Sequence, residues 1–126
     1  MKFLTLTAII LLCATVVFGQ SYKTKGIEQY QKNINGKFVL TNRVLSYEAT
    51  WTFYSDNTFH CYKEGQNCGD YKIDKKTKVG NKTTYTINLY GLDVKIIVEG
   101  NLVTWIEGED GENKNVYRII KTEKAQ

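Results

Sequence analysis

The chain has 126 residues, a formal charge of +4, no proline, three cysteines and a single histidine. That length leaves room for one domain. A charge so mild, with Arg43 and Arg118 the only arginines, gives no basis for a nucleic-acid partner. The single histidine, His60, alternates onto an outer face and the cysteines are few, so no Ser/His/Asp arrangement and no metal-ligand spacing can be assembled; neither a catalytic residue, a metal nor a cofactor is expected and the chain does not read as an enzyme.

Residues 1–19 read as a cleaved signal helix. Lys2 gives a positive start, Phe3 to Val17 an apolar stretch, and Val17-Phe18-Gly19 a cleavage site after Gly19. The apolar stretch falls short of the roughly 20 residues of a membrane span, and no second one follows, so the mature protein is expected to be secreted and extracellular with no membrane span. Cleavage removes Cys13 and leaves Cys61 and Cys68. An even count in an exported chain predicts a disulfide, worth about 2–3 kcal/mol through chain entropy for so small a loop.

Residues 20–35 form an N-terminal arm. Ile27, Tyr30 and Ile34 recur at helical spacing, which predicts a short helix or turn, with a loose arm as the alternative. The domain proper spans 36–121. Strands are predicted over 36–45, with Phe38 and Leu40 on one face, and over 48–54, where Trp51 and Phe53 alternate with threonine. Further strands follow over 58–63 and 69–74, beyond the Asp56-Asn57 turn and the polar loop between the cysteines.

Lys75 to Asn81 reads as a lysine-rich loop, and Asn81-Lys82-Thr83 is a glycosylation sequon on its surface. Tyr85, Ile87 and Leu89 then mark a strand over 82–90, and Val94, Ile96 and Val98 the next. Gly100-Asn101 is a hairpin signal. Strands over 102–107 and 115–121 flank an acidic loop, and the polar tail 122–126 is expected to fray.

Eight strands joined by short turns, without a long helix, predict an all-β antiparallel up-and-down barrel rather than a sandwich, because closure removes the edges and crossovers are lacking. Gly36-Lys37-Phe38, Trp51-Thr52-Phe53, the Asp56-Asn57 turn and Gly69-Asp70-Tyr71-Lys72-Ile73 resemble the lipocalin-like, or calycin, barrels. That resemblance implies a closed end where Arg118 packs over Phe38, with an acidic mouth opposite.

The interior of such a barrel would be lined by Leu40, Trp51, Phe53, Phe59, Tyr71, Tyr85, Ile87 and Ile96, which become the candidate ligand contacts. The resulting expectation is a secreted lipocalin-like binding protein for a small hydrophobic or cationic amphipathic ligand. The alternative is a filled barrel acting as a protein-binding or protease-inhibitor-like module, whose partner is another protein. The facing of Trp105 is open, and His60 is expected on the outer face.

Overall fold

The computed structural model describes residues 19–125. The predicted signal helix up to Phe18, Cys13 within it, and Gln126 lie outside the described residues. Nine strands make up the fold: β1 Gly19–Lys32, β2 Phe38–Phe53, β3 Thr58–Lys63, β4 Gln66–Lys72, β5 Lys75–Val79, β6 Lys82–Leu89, β7 Leu92–Glu99, β8 Leu102–Glu107 and β9 Asn113–Ala125. All pair antiparallel in one sheet, ordered β4-β3-β2-β1-β9-β8-β7-β6-β5.

This corrects the predicted architecture. The sheet has nine strands, not eight, and its ladder stays open because edge strands β4 and β5 do not pair with each other. It is therefore not the closed lipocalin-like barrel that the resemblance implied. No helix occurs among the described residues.

The largest departure lies in the N-terminal arm. It is strand β1, an interior strand between β2 and β9, registered with β2 from Gln20↔Phe53 to Lys32↔Phe38 and with β9 from Gly19↔Ala125 to Gln31↔Asn113. The expected neighbours, 36–45 and 116–121, therefore have β1 between them. The reason is a bulge. Gly26 adopts φ 91°, and the registers shift between Lys25 and Ile27 on one side and between Lys25 and Glu28 on the other. A further register shift, between Gln29 and Tyr30, interrupts the alternation inside the Ile27–Tyr30 interval that reads as helical, and Ile34 lies beyond the end of β1.

Two other differences have local causes. Lys75–Val79 forms edge strand β5, paired with β6, although every residue in it is exposed. An edge strand needs no apolar face, and its lysines discourage pairing with another chain. The tail through Ala125 pairs with the start of β1 instead of fraying.

The inner face carries the core. Trp51, Phe59, Ile87, Ile96 and Val103 are wholly buried, and Phe53, Tyr85, Trp105 and Tyr117 nearly so. Four strands separate β2 from β6 in the ladder, yet the Phe53 and Tyr85 rings stack with centroids 3.9 Å apart. Phe59 likewise meets Trp105 at 6.4 Å. The inner faces of the two wings thus pack on each other while their edges stay unpaired. Ile73 and Asp74 alone link β4 to β5, and their N–H groups donate to Asn57 O at 2.8 Å and Thr86 O at 2.9 Å.

One polar group sits inside this core. Thr24 is 1% exposed; its hydroxyl accepts the Trp51 Nε1–H at 3.0 Å and donates to the Ala49 carbonyl at 3.4 Å. The pairing satisfies the indole N–H, whose burial without a partner would cost about 1–3 kcal/mol.

Candidate functional site

Residues 59, 61 and 63 of β3 alternate onto the inner face, with Phe59 and Cys61 buried. Lys63 ends the series, just before a tight turn in which Glu64 and Gly65 both have positive φ (49° and 76°). Such a turn favours a two-residue hairpin and holds β3 and β4 in register through Lys63↔Gln66. Its parity sends the Lys63 side chain inward, over the aromatic rings.

The Lys63 ammonium lies 4.6 Å from the Trp105 ring centroid, 5.1 Å from that of Trp51 and 5.8 Å from that of Tyr117. All three fall within the roughly 6 Å over which a ring face attracts a cation. The rings brace one another, Trp51 standing 4.7 Å from Tyr117 and 6.0 Å from Trp105. Tyr47 extends the group, 6.0 Å from Tyr117. β2, β3, β8 and β9 thus each supply a wall or the cation itself.

Two acids lie near the tyrosines of the group, Glu64 by Tyr47 and Glu107 by Tyr117. Burial pushes the Tyr117 hydroxyl pKa upward, and the nearby Tyr47 and Glu107 add to the rise. Tyr47 is raised by burial first, then by Cys68 and Glu64. Tyr85, deeper in the core, is pushed up to about 12 by burial and by Tyr22. The sign follows directly: a tyrosine held protonated in the fold stabilises it below the ordinary value of 10.0, and that stability is lost as pH rises toward 12. The urea midpoint is therefore expected to hold steady from pH 7 to about 8 and to fall increasingly above that, first through the buried Cys61 thiol, whose ordinary value is 9.0, and then through the tyrosines. A midpoint that stays flat to pH 11 would contradict the burial of these hydroxyls.

Cys61 and Cys68 are free thiols, which corrects the predicted disulfide. Cys61 pairs across the ladder with Gly69, not Cys68, and the register slips immediately afterwards. Cys68 ends up beside Cys61 within hydrogen-bonding distance but unbonded. Burial first, then the hydrogen bond to Cys68, pushes the Cys61 thiol to about 12.

Of the residues predicted to line a cup, Trp51, Phe53, Phe59, Tyr85, Ile87 and Ile96 meet in the core, with Tyr71 packed against it. Leu40 does not join them and stays exposed on the β1–β2 hairpin. Trp105 faces inward, only 7% exposed. The cations over Phe38 are Lys114, at 4.3 Å, and Lys32, at 5.4 Å, while Arg118 stands opposite Lys25 and Leu102 on the other face. Asn81 is exposed in the β5–β6 turn. His60 hydrogen-bonds Asp70 at 2.6 Å.

Both functions expected from a barrel are thereby corrected. An open sheet whose inner rings stack on one another encloses no lipocalin-type ligand chamber, for the small-ligand carrier or for the filled-barrel inhibitor-like module. Lys63 was the residue missed. The signal was its shared parity with Phe59 and Cys61, which put a charged side chain on an otherwise apolar face. No protein-family model, curated protein or solved structure matches this chain.

Proposed function

We propose that this chain is an exported, non-enzymatic binding protein for organic ammonium ions, which it takes up at the aromatic box now holding the Lys63 ammonium. The observation that carries this reading is three ring faces converging on one cation at 4.6, 5.1 and 5.8 Å. Ring faces arranged this way favour quaternary and primary ammonium groups by about 0.5–2 kcal/mol. Nearby Glu64 and Glu107 favour a cation further. The site is a ring cluster at the end of β3, distinct from an enclosed apolar cup.

Lys63 acts as a resident competitor. Its tether keeps an ammonium at high local concentration, so an incoming cation binds only to the fraction of molecules in which Lys63 has swung out. Choline titrated against tryptophan fluorescence should give a weak response in the native protein. Lys63→Ala should tighten it by about fivefold or more, since the tethered rival is gone. The neutral carbon analogue 3,3-dimethylbutanol should produce no saturable change. If Lys63→Ala keeps its circular dichroism spectrum yet ignores choline, or answers both compounds alike, the box is only core packing.

A further inference from the structure

On the face opposite the core, the registers bring cations together. Lys25 stands directly across from Arg118 in the β1–β9 ladder, and Lys23 across from Lys121 two residues on. Like charges in directly opposed positions destabilise a sheet. The second pair is relieved by Glu123, which bonds Lys121 at 2.8 Å. The first is relieved less, since Glu48 lies across from Lys25 on β2 and Arg118 has Leu102 as its other neighbour.

Around Lys25 and Arg118 the surface is concave. A groove of about 540 Å³ runs between β1, β2, β8 and β9, with Leu45, Leu102, Val116 and Ile120 among its walls. Leu45 is 77% exposed and Ile120 61%. The groove's one acid, Glu28, is engaged by Arg43 through Nε at 2.9 Å and Nη2 at 2.6 Å. That leaves two cations side by side in an apolar trough, without an acid of the groove itself to answer them. At Gly26 the register shifts from Lys25↔Glu48 to Ile27↔Val44, so β2 carries two extra residues beside the trough.

We infer that this groove is an anion site for an aliphatic carboxylate, its head between Lys25 and Arg118 and its chain along Leu45, Leu102 and Ile120. The volume suits a ligand of that size, and apolar walls with a few charged groups are the usual make-up of such sites. Guanidinium and ammonium donors both form charge-assisted hydrogen bonds to a carboxylate. The occupant would also quiet the repulsion between the two cations. This site lies on the outer face and is independent of the aromatic box.

Calorimetric titration of the purified protein with decanoate, below its micellar concentration, tests the inference. Saturable one-to-one binding is expected, weakening at least tenfold in Arg118→Gln and in Lys25→Gln, a loss of about one charged hydrogen bond each. Both variants remove like-charge repulsion and should stay folded by circular dichroism. Decanol should bind at least tenfold more weakly than decanoate. Equal affinity for decanol, insensitivity to both substitutions, or binding only to vesicles containing an anionic lipid would overturn the inference.

Discussion

A chain that begins at Asn33, and so lacks β1, is expected not to fold. β1 is hydrogen-bonded along nearly its whole length on both sides, to β2 and to β9. Removing it breaks the hydrogen-bonded ladder between the two wings, leaving side-chain contacts such as Trp51–Tyr117 to join β2 to β9. It also strips the core of Ile27 and removes Thr24, the partner of the Trp51 indole. The expected result is the absence of a cooperative urea transition by tryptophan fluorescence and of near-ultraviolet circular dichroism. A loose arm would predict the opposite, a truncated domain unfolding at the native midpoint, and that outcome would refute an interior β1.

Trp51→Ala should be the most damaging single substitution. The side chain is wholly buried, touches Phe59, Trp105 and Tyr117, and donates its N–H to Thr24. Truncating a core tryptophan costs about 3–5 kcal/mol, from lost burial and from the cavity left behind. Thr24 would in addition lose its side-chain donor. Since small domains hold only about 5–15 kcal/mol in all, the urea midpoint should fall by roughly 2 M or the chain should fail to fold. Tyr90→Ala, at a fully exposed turn, is the comparison and should stay within about 0.5 kcal/mol of the native chain. Similar midpoints for the two variants would mean that the ring cluster is not the centre of the fold.

The aromatic box and the outer groove share a feature that bears on how the protein is built. Each places charge against apolar surface, one cation over three rings and two cations beside aliphatic walls. Lys63 can do so because its stem lies along the core while its ammonium meets ring faces, an arrangement that long cationic side chains allow. Among the described residues no ring lies beneath Arg118 or Lys25, and their proximity rests on register. The two sites therefore respond to different experiments, the first to choline and tryptophan fluorescence, the second to decanoate and calorimetry.

By itself the sequence determined the local pattern. The spans Thr58–Lys63 and Leu102–Glu107, the Asp56-Asn57 and Gly100-Asn101 turns, and the inward parity of Trp51, Phe53, Phe59, Ile87 and Ile96 were all legible, because a period of two is written over a few adjacent residues. Only the tertiary structure decided that β1 lies between β2 and β9, that the ladder stays open between β4 and β5, that Cys61 faces Gly69, and that Lys63 rests on Trp51 and Trp105. Ladder order joins residues a hundred positions apart, as in Gly19↔Ala125, and no local pattern encodes such a pairing. Bulges such as the one at Gly26 then reverse the facing of everything beyond them, so a strand can hide behind a single extra residue.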